Sequence, residues 1–309
     1  MDELVKDLKI PMDQPLELVV LAVKKSAMRC RVVASGEPIT FRKVRYEVEG
    51  EIITVKPSKL WRYKKTHYMT GEVESKRIDI EALGLKPLAL KNMGEWNPQD
   101  EYWGEKEEQK DPASQYLYLK PIIDYGVRPS YEMEQIIPCP TMEPENIDID
   151  FDIDSDPIFE AAEYHDRGDD QAALKIIEKI LTTDLRCLDA HAHLGNWEFN
   201  STDEPYRNTI DKAKRHYQVG VKIGDLSFID AIGFNGVLHW GHINNRPFLR
   251  CLHGYGLSLW RLGKSDEARE VFNRMLWLNP LDNQGIRFLL ADIDAGKTWY
   301  ELYKNSDND

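Results

Sequence analysis

From Phe248 to Pro280 the chain reads FLRCLHGYGLSLWRLGKSDEAREVFNRMLWLNP, and this stretch restricts the fold more than any other. Leu252, Tyr255, Gly256 and Leu259 recur at helical spacing; after a break at Gly263, Ala268, Phe272, Met275 and Leu276 do the same. Ser265 or Asp266 can cap the second helix, and Pro280 ends it after Asn279. Gly256 and Ala268 are small where two helices would cross. Leu252, Tyr255, Phe272 and Leu276 supply the bulk that fills the seam. The pattern predicts two closely packed helices.

Related patterns lie upstream. Residues 158–184 carry Tyr164, Gly168, Ala173, Ile177 and Ile180 at the same spacing, with Asp169 or Asp170 opening a second helix and Asp156-Pro157 starting the first. A middle copy has Leu194-Gly195 in its first helix and Ala213, Tyr217 and Gly220 in its second, with NSTDEPYRN lengthening the connection. Residues 282–303 predict a terminal helix whose Trp299 and Tyr300 cover the last apolar face. From residue 157 to about 300 this resembles the tetratricopeptide repeat (TPR) family, whose period is about 34 residues. Tyr255-Gly256 match its Leu-Gly pair, Gly263 its turn glycine, Ala268 its small position, Phe272 its aromatic position and Pro280 its closing proline. Leu252 stands where the family carries tryptophan. The run LNPLDNQGIRFLL is also similar to a segment of the TPR-containing suppressor-of-tumorigenicity family. The resemblance implies a solenoid of stacked helix pairs with a concave surface that holds a peptide or domain of another protein.

The first third reads differently. Residues 16–23, 28–35, 39–48, 51–57, 67–75 and 77–83 are short β-like runs separated by close turns, among them Lys24-Lys25-Ser26 and Glu49-Gly50. They predict a small barrel of SH3-like or OB-like kind. The fold class expected for the chain is α+β, with a small β-rich domain over 1–90 and an extended connection over 91–156. The TPR-like helical domain follows over 157–300, then a disordered tail over 301–309. Cations concentrate in the first domain. In KPSKLWRYKKTHY, residues 56–68, Trp61, Tyr63 and Tyr68 alternate with Arg62, Lys64 and Lys65. Cations that neutralise phosphate beside aromatics that stack bases are what a single-stranded nucleic-acid surface needs. The same hairpin can instead be a solvated surface, or dock on acidic surface of a partner or of this chain.

The connection is polar over 94–115, with Trp96, Tyr102 and Trp103 as possible anchors, and mixes short apolar runs with prolines over 117–140. Asp148, Asp150, Asp152, Asp154 and Asp156 alternate with apolar residues. Ile153 stands where a calcium loop needs glycine, so the segment is read as an acidic lead into the first helix.

The formal net charge of −13 disfavours a nucleic-acid partner for the molecule as a whole, though not for one face of it. No apolar run approaches the roughly 18 residues of a membrane span, and the acidic start has no signal-peptide core. Cys30, Cys139, Cys187 and Cys251 are widely separated, which reads as reduced thiols of a cytoplasmic protein. His191, His193, His239, His242 and His253 crowd the C-terminal half without a recognised ligand spacing. Cys251 and His253 lie two apart on a helix and point away from each other. No phosphate loop, dinucleotide fingerprint, GxSxG elbow or HExxH is present.

The expected function is therefore non-enzymatic, without cofactor, metal or small-molecule substrate. The chain is read as a scaffold or adaptor that holds another protein or peptide in a TPR groove and on the insertion at 226–247, through Trp240, His242, Asn244, Asn245, Arg246 and Arg250. The alternatives are an RNA- or single-stranded-DNA-binding adaptor working through Trp61, Arg62, Tyr63, Lys64, Lys65 and Tyr68, and a metal-dependent hydrolase built on the C-terminal histidines.

Overall fold

Alternation in the first third builds a closed barrel, and the pairing register decides which side chains are inside. The computed structural model describes residues 10, 12, 14–42, 46–97, 126–136, 156–202, 206–229 and 234–303. Strands β1 (Leu16–Val23), β2 (Met28–Val32), β3 (Pro38–Phe41), β4 (Ile52–Tyr63) and β5 (Thr66–Arg77) close in the order β1-β2-β3-β5-β4, and β4 returns to β1. Only β3 and β5 run parallel. Met28 faces Phe41, Phe41 faces Met69 and Met69 faces Leu60, and this row lies in the buried core with Leu18, Val20, Ile53 and Val55. Each such side chain contributes about 1.5–3 kcal/mol by leaving water. The strand period is two, so the adjacent row, Arg29–Thr40–Tyr68–Trp61, stands on the outer face. Pro57 is tolerated inside β4 because the register slips between Pro57 and Lys59. The strand expected over 77–83 is absent: Asp79 accepts a hydrogen bond from the Ala82 N–H, and Glu81–Leu83 form a 3₁₀ turn.

The chain divides into two compact units that do not follow its order: Met1–Lys86 with Ile136–Ile223, and Pro87–Gln135 with Gly224–Asp309. The boundaries read from sequence at 90 and 156 fall elsewhere, because local pattern cannot reveal which distant segments share a core.

In the first unit the barrel is joined by helices α1 (Pro157–Asp166), α2 (Asp170–Thr183), α3 (Leu188–Asn200) and most of α4 (Tyr206–Asp225). Asp156 caps α1 through the Ile158 N–H with Pro157 following, and Asp169 caps α2 through Ala172. Ile158, Ala161, Ile177, Ile180, Leu181 and Leu194 make a second core. In the α3–α4 pair, a methyl group at Gly195 would come within 2.5 Å of the Tyr217 ring, so only glycine permits this approach. Helix α2 covers β1, which explains why Val19 and Leu21, on the outer side of that strand, are each only 5% exposed.

The barrel meets α4 through charged groups. Arg215 donates to Glu51 at 2.7 Å and to Asp211 at 3.0 Å, while the other Glu51 oxygen accepts from the Val48 N–H. Glu49 accepts from the Val23 N–H and lies 3.8 Å from His216, too far for a hydrogen bond. Burial pushes the Glu49 carboxyl up to about 7 and holds the His216 imidazole well below its ordinary range, so near neutral pH this contact is not an ion pair.

The stability that Glu49 contributes is complete below about 4.5, its unfolded value, and is lost as pH rises through about 7. His216, and His191 at about 4, act oppositely: their contribution is present above 6.5 and is lost as pH falls. Glu49→Gln keeps the acceptor for Val23 and removes the titration. Urea unfolding at pH 4.5 and pH 8 should show the variant gaining about 3 kcal/mol on wild type across that interval. A pH-independent difference would contradict the assignment.

The second unit contains a two-stranded sheet where the sequence suggested only a connection. Strands β6 (Leu90–Trp96) and β7 (Arg128–Met133) pair antiparallel, and Ser130 forms a parallel bridge to Val237. Met133 is fully buried, and Trp96 and Val237 pack together. Residues 98–125, with Tyr102 and Trp103, and 137–155, with Cys139 and four of the five alternating aspartates, lie outside the described residues, as do 304–309. Helices α5 (Arg246–Arg261), α6 (Ser265–Leu278), α7 (Ile286–Asp294) and α8 (Trp299–Tyr303) complete the unit. A methyl group at Gly256 would overlap the Phe272 ring, the same seam as Gly195 on Tyr217. Two expectations need correction here. Ser265 and Asp266 do not cap α6, since Ser265 is already helical and Lys264 holds the N-cap position without a side-chain bond. The terminal helix is two helices broken near Gly296; Trp299 packs edge-on against Trp260, but Tyr300 is 57% exposed.

Candidate functional site

The outer row of the barrel gathers the basic and aromatic residues singled out by sequence. Trp61 on β4 and Tyr68 on β5 are cross-strand partners, and their rings stack with centroids 5.6 Å apart and planes 14° from parallel. Both are half-buried. Arg42, just past β3, lies with its guanidinium 5.3 Å from the Tyr68 centroid, and the Lys59 ammonium lies 5.5 Å from that of Trp61. The result is a column, Arg42–Tyr68–Trp61–Lys59, on the barrel exterior. Tyr63, two residues along β4 toward the hairpin tip, is 62% exposed, with the Lys64 ammonium 5.7 Å from its ring. Lys64 and Lys65 form the turn, where Lys64 adopts a positive φ of 55°. Arg62 is on the opposite side, paired across the hairpin with His67, and its Nε donates to the Lys64 carbonyl.

In the sequence Lys59, Arg42 and Arg29 are only further cations of the first third. Register turns them into positions: Arg29, Thr40, Tyr68 and Trp61 are successive partners across four strands, about 14 Å at the usual spacing of about 4.8 Å. At the β2 end Glu178 of α2 pairs with both Arg29 and Lys24 at 3.1 Å. Part of the basic surface thus docks on acidic surface of the chain itself. At the hairpin end Lys59, Lys64 and Lys65 are exposed, and none of them pairs with a carboxylate among the described residues.

The residues proposed for a protein partner are arranged differently. Asn245 is fully buried: its amide oxygen accepts from the Met133 N–H and its NH₂ donates to the Tyr131 and His239 carbonyls. It fastens β7 to the start of α5, so it is a structural residue and not a contact residue. Asn244 donates to Glu132. Arg246 donates to the Trp240 carbonyl and lies over the Trp240 ring at 5.4 Å. Trp240, His242 and Arg250 are half-buried. Phe234 packs on Phe228 and Tyr131; 230–233 lie outside the described residues.

The histidines serve packing. His191 is fully buried and bonded to the Leu185 carbonyl, His193 meets the edge of Trp197, and His253 lies against Phe272. The rings of His239 and His242 are 5.8 Å apart. Among the described residues no three His, Cys, Asp or Glu side chains are grouped to hold a metal, and Cys30, Cys187 and Cys251 are buried free thiols. No described helix is long and apolar enough to cross a membrane.

No protein-family model matches the chain, and comparison with curated proteins finds no match. The class is defined by the molecule itself: an α+β protein of a closed five-stranded barrel and paired helices, carrying an exposed cation–aromatic face on the barrel.

Proposed function

We propose that the chain is a non-enzymatic binding protein that takes a single-stranded nucleic acid on the outer face of an OB-type barrel. The observation that carries this is the stacked Trp61–Tyr68 pair with a cation at each end of the column. The strand order, with its parallel β3–β5 closure, supports an OB-type over an SH3-like barrel. The outer ring faces are covered by the chain's own cations, and magnitudes decide who wins them. An exposed cation–π contact is worth about 0.5–1 kcal/mol, whereas a base stacked on an aromatic side chain is worth about 1–3 kcal/mol. A base therefore displaces Lys59 from Trp61, and the freed ammonium becomes available to a phosphate. Tyr63 offers a second ring within the same strand path. The acidity of the remaining molecule opposes approach only weakly at physiological salt, where the screening length is about 8 Å.

The second reading is a protein adaptor that works through TPR-type helix pairs and the 226–247 segment. It is favoured by Ile243, which is 69% exposed beside half-buried Trp240 and His242 on an ordered 3₁₀ turn.

The test is fluorescence anisotropy of a labelled oligothymidine or oligouridine of about twelve nucleotides on the intact protein. Binding is expected at 50 mM salt, weakening roughly ten- to twenty-fold at 200 mM if about three phosphates are engaged. Trp61→Ala should cost at least about fivefold in affinity. No binding at 50 mM, or a Trp61→Ala variant that binds like wild type, overturns the reading. An intact chain that ignores oligonucleotide but retains a protein partner lost on Trp240→Ala with Arg246→Ala would favour the adaptor instead.

A further inference from the structure

A cleft of about 300 Å³ opens in the first unit between the outer side of β1 and β2, the segment 83–86 and the turn from α2 to α3. That volume is at the lower end of small-molecule sites. Its lining is divided by chemistry. Half-buried Val33, Leu83 and Leu85 give it an apolar wall, backed by the buried Val19, Leu21, Leu181 and Leu185, and Arg31, Lys86 and Arg186 supply three cations against the single carboxylate of Asp184.

That carboxylate is already spent. Arg186 grips Asp184 with two bonds, Nε to Oδ1 at 3.0 Å and a terminal nitrogen to Oδ2 at 2.7 Å, and its other terminal nitrogen donates to the Lys86 carbonyl. Burial alone would push the Asp184 carboxyl up, but the bonds from Arg186 hold it below its ordinary value, so it stays an anion. The same guanidinium ties the 83–86 segment to the helix turn, which sets the width of the cleft before anything binds. Arg31 and Lys86 are exposed, and among the described residues neither has an anionic partner. Arg31 is the next outward residue after Arg29 on β2; Arg29 pairs with Glu178, whereas Arg31 lines the cleft.

We propose that this cleft binds a small apolar carboxylic acid, its hydrocarbon body on Val33, Leu83 and Leu85 and its carboxylate between Arg31 and Lys86. A carboxylate matches the planar fork of an arginine, and the apolar wall excludes a ligand that is polar throughout. The inference is independent of the nucleic-acid reading.

The probes are octanoate, octyl phosphate and octanol, titrated into the intact protein and followed by calorimetry and by protein NMR. Octanoate should saturate with a Kd at or below about 1 mM, reasonable for ten heavy atoms in a preformed site. Octanol should bind at least about tenfold more weakly. Arg31→Gln and Lys86→Gln should each weaken octanoate by about three- to tenfold, while thermal melts confirm that these surface variants remain folded. No saturable octanoate binding, octanol binding equally well, or octanoate binding unchanged in both variants would overturn the proposal. Octyl phosphate binding more tightly than octanoate would overturn the choice of carboxylate.

Discussion

Replacing Arg215 with alanine is expected to destabilise the first unit by about 3–5 kcal/mol, the loss typical when one partner of a buried ion pair is removed. Arg215 and Glu51 are 7% and 2% exposed, and their bond at 2.7 Å joins α4 to the loop that enters β4. Without the guanidinium, one Glu51 oxygen still accepts from Val48, but the other carries charge with no compensating cation in contact. The neighbourhood cannot collapse to hide it, because Gly50, at φ +91°, lies so near Val219 that even a methyl group would come within 2.5 Å. The pair is not stabilising in an absolute sense. The double variant Arg215→Met with Glu51→Leu should recover most of the loss, since well-packed apolar replacements of buried ion pairs are often neutral or better. Urea unfolding, with hydrogen exchange at the Val20 and Val48 amides reporting on this unit, checks both outcomes. A loss below about 1 kcal/mol for the single variant would mean that Glu51 finds another partner or water.

Phe272→Ala should cost the second unit about 3–5 kcal/mol, the range for deleting a buried aromatic ring. Phe272 is fully buried and fills the space that Gly256 leaves on α5. The partner substitution shows whether this seam is a shape match or a coincidence. Gly256→Ala gains about 1 kcal/mol of helix propensity yet forces the ring to move, and overpacking typically costs about 1–3 kcal/mol. In the Phe272→Leu background the added methyl has room, so Gly256→Ala should turn from destabilising to neutral or favourable. Chemical denaturation of the four proteins gives the coupling. Strict additivity would show that the two residues do not share one packing constraint.

That seam was legible in the sequence because apolar residues at helical spacing, with Gly256 and Ala268 small between them, mark where a small residue must face a large one. The same logic locates the first helix pair, although there the small position is Ala161, seven residues before Gly168, and the sequence pointed only to Tyr164. What spacing did not carry was long-range pairing. Nothing local announces that Leu90–Trp96 and Arg128–Met133 form one sheet, or that a buried asparagine at 245 holds three backbone groups around it. Asn245 looked like a contact residue because polar residues in glycine-rich loops are usually exposed; here, burial with every amide bond satisfied makes it part of the core. The barrel face was half legible. Alternation and the local β4–β5 hairpin gave the aromatic pair, but bringing Arg42 over Tyr68 depends on the parallel β3–β5 register, a tertiary fact.

The central claim is that Trp61 and Tyr68 form a platform from which a base displaces the cation of the chain itself. The most direct test is the NMR signal of the Trp61 side chain during titration of the intact protein with oligothymidine at 50 mM salt, assigned by comparison with Trp61→Phe. Stacking predicts a saturable upfield shift of the Trp61 ring protons together with a changed environment for the Lys59 side chain. Saturable binding that shifts other tryptophans and leaves the Trp61 ring unmoved would contradict it.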